Sequence, residues 1–103
     1  MMDLARQLSL AAGDAFAAQG LDVSLGAMRR SDRPDLADFQ CNGAMAAAKQ
    51  AKANPREIAQ PIADALGASD LVESATIAGP GFINVKVSAA ALSWIWYGRS
   101  YQP

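Results

Sequence analysis

The first apolar positions of the chain recur at the spacing of an amphipathic helix. Between residues 3 and 19 they lie three or four positions apart: Leu4, Leu8, Ala11, Ala12 and Ala15. This spacing places them on one face of a helix. Gly20 follows, and glycine readily occupies the position just after a helix. The pattern predicts a helix over 3–19.

Residues 21–38 lose the helical period. Val23, Leu25, Ala27 and Arg29 alternate with other residues as the side chains of a strand do. Residues 31–35, which include Pro34, are typical of a turn or loop. The segment therefore predicts one strand followed by a polar loop.

Two more helices are predicted between residues 38 and 67. Asp38 is a suitable N-cap, and apolar positions at helical spacing follow it as far as Lys52. Asn54, Pro55 and Glu57 then combine a cap residue, a proline at the first helical position and an acid three residues after the cap. The third helix is predicted to begin at Pro55 and to stop at Gly67. We expect a kink near Pro61, because proline removes an internal hydrogen bond.

The last part of the chain contains two β-rich runs and one more helical pattern. Residues 72–78 and 82–87 flank Gly79, Pro80 and Gly81, an arrangement that favours an antiparallel hairpin. Ser88 can cap a helix over 89–97, and Gly98 can end it. The order of elements predicts one α+β domain, with a small antiparallel sheet packed against about four helices.

Composition narrows the possible functions. Nine Lys and Arg against ten Asp and Glu give a formal net charge of −1, so any contact with nucleic acid must be local. The chain has no His and one cysteine, Cys41, which excludes an internal disulfide and argues against a zinc site or a His-based catalytic site. We predict no catalytic residue, no metal site and a buried Cys41. No run reaches the roughly 18 apolar residues of a membrane-spanning helix, which favours a soluble cytoplasmic protein.

Alternation divides the side chains of the run 82–87 between two faces. Ile83, Val85 and Val87 form an apolar face that is predicted to join the core. The other face carries Phe82, Asn84 and Lys86, successive members of which are about 7 Å apart. An aromatic ring, a carboxamide and a cation can together bind an unpaired nucleotide. The alternative is that Phe82 packs under a helix while the two polar side chains are solvated, and the pattern alone favours that alternative.

Two other groups of residues are candidates for surface contacts. Basic residues are densest at Arg29, Arg30, Arg33, Lys49, Lys52 and Arg56, but aspartates interleave the first three, which favours a solvated surface of mixed charge. Trp94, Trp96 and Tyr97 cannot all face one core from a single short helix. At least one of these aromatic residues is therefore expected to be exposed, and its exposure would indicate an interface.

Several blocks of the sequence resemble the N-terminal additional domain of arginyl-tRNA synthetases. They are Asp38-Phe39 before an alanine-rich helix, the segment 54–59 (Asn-Pro-Arg-Glu-Ile-Ala) and the segment 78–84 (Ala-Gly-Pro-Gly-Phe-Ile-Asn). Their order and spacing match over nearly the whole chain. One departure lies at Leu36-Ala37, where many members have His-Gly, and another is Pro61.

The resemblance implies a domain placed before a class I catalytic core and contacting the D-loop at the elbow of arginine tRNA. It implies base contacts for Phe82 and Asn84. Lys86, on the same face of the strand, is assigned a weaker tRNA-binding role near the backbone, and Gly81 shapes the turn before them. Residues 1–98 would form the domain and residues 99–103 the linker to the catalytic domain, which the aromatic residues of 94–97 would contact.

The implied partners are arginine tRNA and the catalytic domain of the same polypeptide. Neither a membrane nor DNA is expected as a partner. The implied cofactor is ATP with Mg in the full-length enzyme, and none in this chain. An alternative is a protein-protein interaction module that uses the aromatic C-terminal helix.

Overall fold

A four-stranded antiparallel sheet with helices on one face forms the domain. The computed structural model describes residues 4–33 and 35–89. The helices are α1 (Leu4–Ala18), a short 3-10 helix (Val23–Gly26), α2 (Gly43–Ala51) and α3 (Pro55–Gly67), and the strands are β1 (Arg29–Arg30), β2 (Phe39–Cys41), β3 (Val72–Ala78) and β4 (Phe82–Val87). The predicted α+β class is confirmed.

Three predicted elements occur as the sequence indicated. Helix α1 ends before Gly20, whose φ of +78° suits glycine, and the Leu21 amide donates to the Phe16 carbonyl across this end. Helix α3 begins at Pro55, and the Asn54 side chain accepts a hydrogen bond from the amide of Arg56. The helix continues through Pro61, which is exposed. Strands β3 and β4 pair as the predicted antiparallel hairpin.

The strand predicted from Val23 to Arg29 was wrong. Val23–Gly26 forms the 3-10 helix, in which the Asp22 carboxylate accepts from the Ser24 amide at 2.9 Å. This segment also packs directly on α1, since a Cβ atom on Gly26 would lie 2.2 Å from the backbone nitrogen of Gly13. A local cap and a close contact between backbones therefore decide the conformation, and only Arg29–Arg30 remains as a strand.

The prediction that Asp38 begins the second helix was also wrong. Phe39–Cys41 is strand β2, and helix α2 starts at Gly43. The Asp38 amide donates to the Val85 carbonyl, and the Asp38 carboxylate accepts from the Val87 amide at 2.9 Å. Asp38 thus extends the pairing of β2 with β4 instead of capping a helix.

The sheet has the strand order β1-β2-β4-β3. Its apolar face carries Ile83 and Val85, both fully buried, against helices α2 and α3. Helix α1 packs on α3 and completes the core with Leu8 and Phe16. The predicted core face of β4 is confirmed, and so is the burial of Cys41. The helix expected over 89–97, with Trp94, Trp96 and Tyr97, lies outside the described residues except for Ala89.

Candidate nucleic-acid interface

The face of the sheet opposite the helices is polar and accessible. Cross-strand pairing aligns Arg29 with Gln40, Gln40 with Asn84, and Asn84 with Thr76. Paired residues of an antiparallel sheet point to the same face. These four side chains therefore form one row across all four strands, which we call the polar row. Arg29 and Thr76 are exposed, while Gln40 and Asn84 are half-buried.

Phe82 lies next to the polar row on the same strand and on the same face as Asn84. It is half-buried but is not among the residues that form or pack against the hydrophobic core, unlike Phe39. Its ring instead lies near Gly79, where a Cβ atom would be 3.4 Å from Phe82 Cδ2. Among the described residues the ring is therefore beside the turn, and it does not pack under a helix.

Lys86 is the third side chain of β4 on this face. It is exposed and pairs across the sheet with Ser74. In the described part of the chain the ion pair found is between Arg33 and Asp35, at 3.4 Å, and it does not involve Lys86. The structure thus brings together Phe82, Asn84 and Lys86 as the alternation predicted, with Lys86 available to an anionic group.

The turn before Phe82 is held by the start of helix α3. Gly81 has φ of +156°, and a Cβ atom on it would lie 2.6 Å from the Cβ of Pro55. The Arg56 guanidinium donates a hydrogen bond to the carbonyl of Gly79. Glycine is therefore required at position 81 both by conformation and by space. This contact fixes the point at which Phe82 leaves the turn.

Asn84 has a side-chain partner within the polar row. The amide Nε2 of Gln40 donates a hydrogen bond to Oδ1 of Asn84 at 3.1 Å. Among the described residues no hydrogen bond is made by Nδ2 of Asn84, so its N–H groups are available to a ligand. A carboxamide held in this way presents its N–H donors and the second lone pair of its oxygen to a ligand.

The basic residues singled out in the sequence do not form one patch. Arg33 is paired with Asp35, and the guanidinium beside it lowers the pKa of the Asp35 carboxyl. Arg56 braces the turn at Gly79, and Lys49 lies in the last turn of α2. Arg29 belongs to the polar row. The face therefore offers two cations near Asn84, from Arg29 and Lys86, and does not offer a broad basic surface.

Comparison with known proteins identifies the domain. The family model described as the arginyl tRNA synthetase N terminal domain matches residues 2–87. The chain belongs to this family. The resemblance drawn from the sequence blocks is thereby confirmed.

The relatives of the chain are arginine-tRNA ligases. The chain is 63% identical over 93 residues to the ligase of Hyphomonas neptunium, covering 90% of this chain and 16% of that protein. It is 51% identical over 87 residues to the ligase of Maricaulis maris, covering 84% of this chain and 15% of that protein. The chain thus spans about a sixth of the length of these relatives.

A solved structure supports the same fold. The chain superposes on Thermus thermophilus arginyl-tRNA synthetase with a TM-score of 0.75 and 27% identity, covering 97% of this chain and 16% of that one. The α+β architecture is therefore that of the synthetase N-terminal domain.

Sequence reasoning missed two members of the interface. Gln40 was assigned to a helix, and Arg29 to the end of a predicted strand and to a solvated surface of mixed charge. The pairing of Arg29 with Gln40, and of Gln40 with Asn84, places both in the polar row. A signal was present, because Phe39 and Cys41 flank Gln40 as two apolar residues flank a polar one in a strand. Three residues are too few to distinguish this pattern from a helix.

Among the described residues, no group of three or more His, Cys, Asp and Glu is arranged to hold a metal ion. The described helices likewise include none long and apolar enough to cross a membrane.

Proposed function

We propose that this chain is the tRNA-recognition domain of an arginine-tRNA ligase and binds the D-loop at the tRNA elbow through the open face of its sheet. The observation that carries the proposal is the position of Phe82 beside Asn84 on that face, outside the core. The ligase would attach arginine to its tRNA in an ATP-dependent reaction in the cytoplasm.

The chemistry of the face suits an unpaired base. Phe82 can stack on the base, Asn84 can hydrogen bond to its edge, and Lys86 can approach the backbone. Proteins read RNA sequence mainly at loops, where bases are unstacked and both their faces and edges are accessible. A D-loop nucleotide meets this requirement, whereas a base inside an RNA helix does not.

Charge sets the expected strength of binding. With a formal net charge of −1 and two cations near Asn84, the chain gains little from the release of counterions. The isolated domain should therefore bind weakly and contribute selectivity. We assign most of the affinity to the catalytic domain of the same polypeptide.

ATP and Mg are likewise assigned to the catalytic domain. The Gly79-Pro80-Gly81 turn leads into strand β4 and not into a helix, so it lacks the helix N-terminus of phosphate-binding loops. No step of the reaction is assigned to residues of this chain.

The experiment measures charging of arginine tRNA by the Hyphomonas neptunium ligase in which the matching segment is replaced by this chain. Phe82→Ala and Asn84→Ala should each lower kcat/KM for tRNA by about fivefold or more, since base stacking and edge contacts each contribute about 1–3 kcal/mol. Phe82→Leu should also lose activity, because it keeps apolar volume but cannot stack as an aromatic ring does.

Matched controls are Leu10→Ala, an exposed apolar residue of α1, and Gln50→Ala, an exposed amide of α2. Both should charge tRNA as the unmodified chimera does. If folded Phe82→Ala and Asn84→Ala variants behave like these controls, the open face is not the tRNA contact. That result would leave the interaction-module alternative, which places the contact on Trp94, Trp96 and Tyr97.

A further inference from the structure

Gln40 and Asn84 face each other across the strands that form the centre of the sheet. They are direct cross-strand partners, and Gln40 Nε2 donates to Asn84 Oδ1 at 3.1 Å. Both side chains are half-buried on the open face. The hydrogen bond joins the two side chains across the sheet and uses one of the two lone pairs of Asn84 Oδ1.

A free carboxamide is ambiguous as a reader of bases. It carries an acceptor at one end and two N–H donors at the other, and a half turn about its last bond exchanges them. An Asn84 side chain without a neighbour could therefore match a donor or an acceptor on the base. The hydrogen bond to Gln40 restricts this freedom, because a half turn of the Asn84 amide keeps the bond only if the Gln40 amide turns with it.

The backbone holds Gln40 in place on both sides. Its neighbours Phe39 and Cys41 pair with Val85 and Ile83, and the Cys41 thiol donates to the carbonyl of Leu25 at 3.4 Å. Cys41 is fully buried. The backbone of Gln40 is thus fixed by the sheet, which places its side-chain amide beside Asn84.

We infer that Gln40 is a positioning residue for RNA recognition: it holds the Asn84 carboxamide in place on the open face, so that the amide is already ordered when a base approaches. The inference rests on the proposed function and adds to it the residue that orders the contact. Thr76, on the other side of Asn84 in the polar row, makes no hydrogen bond to it.

The test is a double-mutant cycle on the isotope-labelled chain, titrated with an arginine tRNA transcript at low salt and followed by nuclear magnetic resonance. Gln40→Leu keeps the size of the side chain and removes the donor, and it should raise Kd about three- to tenfold. Asn84→Ala should raise Kd by about fivefold or more. The double variant should match Asn84→Ala, because a residue that acts through Asn84 has no effect once Asn84 is gone.

Gln50→Leu is the matched control, since it makes the same exchange of glutamine for leucine at an exposed position of α2, and it should leave Kd unchanged. A second readout is taken on the free chain without RNA. The Asn84 Nδ2 group should be ordered in the unmodified chain and should become mobile on the nanosecond timescale in Gln40→Leu, while backbone amide shifts of the core are retained.

The outcomes distinguish failure of the positioning role of Gln40 from failure of the proposed function. If Asn84→Ala weakens binding but Gln40→Leu does not, or if the two effects multiply in the double variant, the positioning role is overturned and the proposed function stands. If the Asn84 amide is equally mobile with and without Gln40, the positioning role is again overturned. If neither Asn84→Ala nor Phe82→Ala changes Kd, the proposed function fails and the inference fails with it.

Discussion

Gly81 lies so close to Pro55 that a Cβ atom on the glycine would stand 2.6 Å from the Cβ of the proline. The contact joins the turn before strand β4 to the first residue of helix α3. It therefore couples the start of a helix in the core to the position of Phe82 on the open face. The sequence blocks around positions 55 and 81, which are far apart along the chain, meet at this point.

Substitution of Gly81 should destabilise the domain. Gly81→Ala places a methyl group against Pro55 and imposes a side chain on a backbone with φ of +156°. We expect the free energy of unfolding to fall by about 1–3 kcal/mol, from strain and overpacking together. Urea denaturation followed by circular dichroism measures the change.

Gly67→Ala is the matched control for Gly81. Gly67 is the last residue of α3, and a Cβ atom there would meet nothing within 4 Å. The variant should be neutral or stabilised by up to about 1 kcal/mol, because alanine favours helix and restricts the unfolded chain. Equal destabilisation by both substitutions would show that the contact with Pro55 is unimportant.

The two helix-capping asparagines should respond differently to substitution. Asn54 Oδ1 accepts from the Arg56 amide at 2.9 Å, so Asn54→Ala should lower the free energy of unfolding by about 1 kcal/mol. Asn42 precedes α2 without a side-chain cap bond, and its Oδ1 is buried without a hydrogen-bond partner among the described residues. Asn42→Ala should therefore lower the free energy of unfolding, measured by urea denaturation, by less than Asn54→Ala does. An equal or greater loss at Asn42 would contradict this assignment.

Stability should depend on Cys41 at alkaline pH. Burial raises the pKa of the Cys41 thiol above its ordinary value of 9.0, so the folded state favours the neutral form. The free energy of unfolding that the neutral buried thiol contributes is complete below pH 9.0. It is lost as the pH rises through the pKa of the folded state, because the thiol of the unfolded chain ionises at a lower pH. Free energies of unfolding measured from pH 7 to 11 should fall more steeply for the unmodified chain than for Cys41→Ala. Parallel curves would contradict a shifted pKa.

Binding of tRNA to the chain should depend only weakly on salt. If Arg29 and Lys86 are the two phosphate contacts, the slope of log K against log salt should be about −1 to −2. Lys86→Ala should reduce its magnitude by about 1. Lys49→Ala, an exposed lysine on α2, should leave it unchanged. A slope steeper than about −4 would indicate that phosphate contacts elsewhere dominate.

The β3–β4 hairpin and the two faces of β4 could be predicted from the sequence. Two runs of six or seven residues around a Gly-Pro-Gly turn contain enough alternation to assign Ile83 to the core and Asn84 to the other face. The start of α3 could be predicted equally well, because Asn54, Pro55 and Glu57 favour the start of a helix through local interactions. The family blocks then connected Phe82 and Asn84 with tRNA, which alternation alone did not favour.

Only the tertiary structure decided the role of residues 39–41. Three residues cannot display a period, and the alanine-rich segment after them favoured a longer helix. Their conformation is determined by pairing with β4, in which Gln40 meets Asn84, 44 positions away along the chain. The sequence by itself determined which side chains of β4 point away from the core. The partner that orients Asn84 comes from a non-local strand pair, whose energy depends on contacts that no short segment contains.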